Sequence, residues 1–125
     1  MIEEYGRVLS RIMGLTDPSA LGKALGEIRE SYLTYFGVDA AVIDKFHPDD
    51  LPLFLTKEHH FTFGQLEALA KGITAEGNLS PDEMVAKMKY RKALALYLWL
   101  EKEDTQTFSI HRKQAVNDLM NRIGQ

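Results

Sequence analysis

Apolar side chains recur along this chain at intervals of three and four, the period that lays them on one face of a helix. In 2–13 the positions are Ile2, Tyr5, Val8, Leu9, Ile12 and Met13, closed by Gly14. Asp17 has the chemistry of an N-cap with Pro18 at the first helical position, and Leu21, Leu25, Ile28 and Tyr32 carry a second stripe to Gly37. These two helices are predicted to run antiparallel across a short loop. From 38 to 57 the pattern breaks, because Asp39 precedes a short apolar run over 40–43 and Pro48 and Pro52 stand close together. Proline removes a backbone donor and disfavours helix before it, so only brief helices fit: about two turns after Asp39 and one or two more from His47 or Asp50. A strand over 41–43 would have no partner.

The second half is punctuated more strongly. Thr62 and Gln65 match a capping box, and Phe61 with Leu66 matches a hydrophobic staple, which predicts a helix over 63–76 with Gly77 as its left-handed stop. Ser80, Pro81 and Glu83, with Leu79 and Met84 as staple, predict a new start and a helix over 81–103. A last helix over 107–123 would carry Phe108, Ala115, Val116, Leu119, Met120 and Ile123 on its inner face. No Asn-Gly or Asp-Gly hairpin and no alternating strand pattern occurs. The expectation is one all-α domain over 1–125, with about five main helices and short ones near 39–56.

Leu66, Leu69, Ala70 and Ile73, then Gly77, then Ala86, Tyr90 and Ala93 alternate bulky with small groups on the faces that two antiparallel helices would share. This set resembles the tetratricopeptide signature, and Tyr90-Arg-Lys-Ala-Leu-Ala-Leu is similar to the second helix of such repeats. Ala24, Ile28 and Ser31 repeat the four-then-three spacing as a more degenerate copy. The interval from Gly77 to Ala86 is about four residues longer than the repeat's usual one, and no proline closes the second helix, which is therefore expected to run on. In helix order and hydrophobic pattern the chain is also similar to a family of short, tetratricopeptide-like bacterial proteins. The resemblance implies antiparallel hairpins stacked as a short superhelix, completed by the short helices of 38–57 and capped by the last helix. It implies a binding role and brings no catalytic residues.

Composition narrows the field. A chain of 125 residues with 45% hydrophobic and 26% charged positions can bury one real core and is not a disordered segment. The absence of cysteine removes disulfides, thiolate nucleophiles and Cys-based zinc sites together. Two acids among the first four residues do not fit a signal peptide, and the longest apolar run, Ala93 to Leu100, falls far short of the roughly 20 residues that cross a bilayer. A cytoplasmic protein without membrane contact is expected. The net charge of −3 is spread as 9 acids against 5 bases in 1–56 and 9 against 10 in 57–125, so neither half has the basic excess of a nucleic-acid binder.

Candidate chemistry is sparse. His59 and His60, with His47 and Asp49 or Asp50, are the residue types of a metal site, but adjacent histidines diverge on a helix and no His-Glu-x-x-His spacing occurs. Loop polarity before a cap accounts for the histidine pair, and capping accounts for Asp49 and Asp50. There is no nucleophile elbow, no Gly-x-Gly-x-x-Gly and no Walker loop, so no catalytic, cofactor or metal residue is assigned. Lys87, Lys89, Arg91 and Lys92 would form a basic patch with Arg112 and Lys113 if the last two helices are neighbours, although a solvated helix face is the better account of them.

Gly22 and Gly26, four apart, share a face on which another backbone, or a peptide, could approach closely. The all-round apolar segment 93–100 must be enclosed or shared with another chain, and its Tyr97 and Trp99 are anchor residue types. Gly22, Gly26, Tyr97 and Trp99 are therefore the candidate partner contacts. The leading expectation is a non-catalytic protein or peptide interaction module, with a homodimer as one form of it. The rival is a small ligand-binding protein or enzyme with a pocket against 46–63, where Phe46, His47, Asp50, His59 and His60 cluster. Nucleic-acid binding through the helix at 81–103 is a third, weaker one.

Overall fold

The computed structural model describes Tyr5 and residues 18–124. Helix α1, Pro18–Ser31, widens at its end into a π-helical turn over Tyr32–Phe36. Gly37 then takes the left-handed conformation, φ 73°, and its N–H donates to the Leu33 carbonyl, which is the predicted stop. Asp39 caps α2, Ala40–Asp44, by accepting from the Ala41 N–H at 2.8 Å. After Pro48, α3 consists of Leu51–Leu53 and a second π-helical turn, Phe54–Glu58. The brief helices expected over 38–57 are present, and the two π turns are an addition to the expected pattern.

Helix α4 spans Phe63–Leu79 and opens on the predicted capping box: the Gln65 N–H donates to Thr62 Oγ1 at 3.1 Å and the Thr62 N–H to Gln65 Oε1 at 2.9 Å. Helix α5 spans Glu83–Glu103 and α6 spans Ile110–Gly124. Among the described residues there is no strand, so the fold is all-α. Phe63, at the start of α4, meets Trp99 late in α5, while Glu76, late in α4, meets Lys89 early in α5. The two long helices are thus antiparallel. Leu66, Leu69, Ala70, Ile73, Ala86, Tyr90 and Ala93 are all buried, so the face read from their spacing is the core face.

Around this hairpin α6 packs on α5, and α1 packs on α4. One apolar cluster runs through the whole, from Ala24 and Ile28 of α1 to Val116 and Leu119 of α6. Tyr5 is helical and buried edge-on against Tyr35 and Phe36, and its hydroxyl occupies the space a side chain at Gly72 would need. The rest of the helix predicted over 2–13, its Gly14 stop and the Asp17 cap lie outside the described residues.

Several expectations are corrected. Gly77 does not end α4; it is buried inside the helix, with right-handed φ, because the Tyr90 ring leaves no room for a side chain there. The cap of α5 is Asp82, which accepts from the Met84 and Val85 N–H groups, and not Ser80. Asp82 stands directly before the first helical residue, where a carboxylate reaches two free N–H groups at once. Met84 points to solvent, so no staple to Leu79 forms. The last helix begins at Ile110, three residues after the expected start, with the Ser109 hydroxyl accepting from the Arg112 N–H. Phe108 therefore lies in the link at 76% exposure and Met120 also faces out, while Val116 and Leu119 are buried.

Candidate functional site

The polar side chains near the core use one another. Glu76 is buried on α4 and accepts from Arg29 Nη1 at 2.8 Å and from the Tyr32 hydroxyl, with Lys89 Nζ at 3.3 Å. Asp44, at the end of α2, accepts from Arg29 Nη2 at 2.6 Å and Lys89 Nζ at 2.7 Å. Burial works to raise the Asp44 pKa, but the Arg29 and Lys89 hydrogen bonds outweigh it and hold the carboxyl down to about 2. Burial and the Glu76 charge push the Tyr32 phenol up. Lys92 is buried beside them and donates to the Ile43 and Asp44 carbonyls at 3.1 and 2.9 Å; burial and the Lys89 charge push its ammonium down. These groups join α1, α2, α4 and α5.

A second set closes the other end. Arg112 of α6 donates to Glu67 of α4 at 2.7 Å and to Asp104, the residue after α5, at 3.0 Å. A hollow of about 350 Å³ opens beside it at the α5–α6 link, but its cations Arg112 and Lys113 are already held by carboxylates. Tyr90 and Arg122 both donate to Asn78 Oδ1, at 2.9 and 2.6 Å, and the guanidinium lies 5.5 Å from the Tyr90 ring centre. Each set binds helix to helix.

The basic patch does not form. Lys89 and Lys92 turn inward to the Asp44 cluster, Arg112 lies with Glu67 and Asp104, and Lys113 lies with Glu101. Lys87 pairs with Glu83 one turn earlier at 3.5 Å. Among the described residues Lys92 makes no ion pair and is held by backbone carbonyls, and Arg91 has neither an ion pair nor a hydrogen-bond partner for its guanidinium.

A second hollow among the described residues is apolar. A groove of about 400 Å³ lies along α5, walled by Met88, Leu94, Ala95 and Leu98, with Ile123 of α6 on one side and the link at 47–49 on the other. Met88 and Leu98 stand 46% and 48% exposed in it, and Met84, one turn before Met88 on α5, is 82% exposed. At the rim the Asp49 N–H donates to His47 Nδ1 at 3.2 Å, and Arg91 stands within the apolar wall.

The four candidate contacts fare differently. Tyr97 is 2% exposed and belongs to the core, its phenol pushed up by burial and by the Glu67 charge, so it presents nothing to a partner. The segment 93–100 is enclosed on its Ala93, Leu96, Tyr97 and Leu100 side and open at Leu98. Trp99 is half-buried and set edge-on to Phe63. Gly22 and Gly26 are exposed, and no described atom lies within 4 Å of a β-carbon placed at either, so they mark no close approach among the described residues.

The residues of 46–63 also separate: Phe46 stacks on Phe54, which meets His59 edge-on, while His47 turns to the groove. Among the described residues no three His, Cys, Asp or Glu side chains are grouped to hold a metal ion. The sequence missed the groove because its walls come from three separated segments, and the visible signal was the exposed-face spacing of Met84, Met88 and Leu98. No helix among the described residues is long and apolar enough to cross a membrane. Comparison with protein-family models, with curated proteins and with solved structures finds no match to this chain.

Proposed function

We propose that this chain is a non-catalytic, tetratricopeptide-like interaction module that acts in the cytoplasm by docking a protein or peptide partner along α5. The carrying observation is the exposed line of Met84, Met88 and Leu98 beside the apolar groove. An unpartnered apolar line of this kind on a folded protein costs solubility unless something covers it. Methionine suits such a face because its flexible, polarisable chain adapts to a partner's shape. The paired interior charges support the same reading, since they are spent on holding helices together.

The test is photo-crosslinking in the native host from an unnatural side chain at position 98. A discrete protein adduct, identified by mass spectrometry and lost in Met88→Glu, supports the docking reading; absence of any adduct sinks it. A second reading, a small-molecule site at the same groove, is favoured by its volume and by His47 at its edge. A saturable thermal shift with a metabolite library, abolished by Leu98→Trp, would select that reading instead.

A further inference from the structure

Met88, Arg91, Ala95 and Leu98 line the groove, and helical spacing adds Met84 one turn before them, so the stripe runs in steps of four, three, four and three on one face of α5. At about 1.5 Å per residue this stripe is roughly 21 Å long, enough for about four turns of a partner helix. Arg91 stands at its midpoint. The neighbouring Lys87 and Lys89 have carboxylate partners, and Arg91 has none among the described residues.

An occupant that covers the methionines must also strip water from the guanidinium between them. A charge desolvated without a counter-charge opposes binding, so an occupant of matching chemistry brings an acceptor to that point. Asp49 lines the same groove, but its carboxylate lies 3.6 Å from His47 Nδ1 and makes no ion pair with Arg91. A second copy laid α5 on α5 about a twofold axis through the stripe's midpoint would set Arg91 against Arg91. The geometry thus disfavours self-pairing and favours an acidic partner.

We propose that the groove receives an amphipathic helix from another protein, whose apolar face is interrupted at its centre by one carboxylate seated on Arg91. This rests on the docking reading above and adds the partner's chemistry to it. The probe is a displayed library of helical peptides with apolar anchors at the stripe's spacing and a randomised central position, selected against the full chain. Asp and Glu should be enriched at the centre. In fluorescence anisotropy the best acidic peptide should lose at least about tenfold in affinity to Arg91→Glu, which should recover with a Lys-centred peptide.

Enrichment of neutral or basic centres, or equal binding by Arg91→Glu, overturns the acidic-helix proposal while leaving the groove as a docking face. No enrichment at all, or peptides indifferent to Leu98→Asp, overturns the groove reading itself. A dimer in sedimentation that Leu98→Asp dissolves makes a second copy the occupant and overturns the proposal. Positions 91 and 98 are both exposed, and circular dichroism verifies that the variants stay folded.

Discussion

The Tyr90 ring lies against the backbone of Gly77 so closely that a β-carbon at position 77 would sit 2.5 Å from Cε1. The ring is held in place by its hydroxyl bond to Asn78 and by the Arg122 guanidinium over its edge, so it cannot swing aside cheaply. Gly77→Ala should therefore cost about 1–3 kcal/mol through overpacking, even though alanine is the better helix former by about 1 kcal/mol. In a Tyr90→Ala background the clash is gone and the same change should turn neutral or stabilising. A double-mutant cycle in urea checks this, and additive costs would contradict it.

Glu76 gathers a guanidinium, an ammonium and a phenol in a buried place. Glu76→Ala leaves Arg29 and Lys89 with Asp44 alone and the Tyr32 hydroxyl unpartnered, an expected loss of roughly 3–5 kcal/mol. Glu76→Gln keeps an acceptor for Tyr32 and should lose less. Arg91→Ala, at an exposed position without an ion pair, should move stability by under about 0.5 kcal/mol. Equilibrium urea unfolding of the three variants should rank them in that order.

The low pKa of Asp44 makes stability depend on acid. Its carboxyl is held from 3.8 down to about 2 in the folded chain, so the unfolded chain takes up this proton first as pH falls. The contribution is fully present above about pH 4 and is lost as pH falls towards 2. Urea midpoints should fall across pH 5 to 2.5, and the fall should be shallower in Asp44→Asn. A variant that tracks the wild type across this window would show that the cluster does not couple to folding.

What was readable in the sequence was local. The Thr62–Gln65 box and the Gly37 stop each depend on residues within one turn, and each is where the pattern put it. The core face of Leu66 to Ala93 was readable because helical period alone selects it. What failed was set by distant neighbours. Gly77 has the chemistry of a stop, and only the ring thirteen positions away explains why a glycine stands where the helix runs on to Leu79. The run from Lys87 to Lys92 looks like a basic face, yet Lys89 and Lys92 point to α2, more than 40 positions earlier. Arg91 stands out from that run only against Lys87 and Lys89, which pair with carboxylates, and Lys92, which takes backbone carbonyls.

Lys92 has a consequence for the order of assembly. Five residues of helix in α2 are too few to persist alone in water, since one or two hydrogen bonds do not offset the entropy of starting a turn. The Lys92 ammonium, reaching across from α5, takes the carbonyls with which that turn ends. The turn is borrowed from the hairpin beside it and should appear only after the hairpin has closed. In pulsed hydrogen exchange during refolding, the amides of Ile43 and Phe46 should gain protection later than those of α4, and Lys92→Met should delay them further.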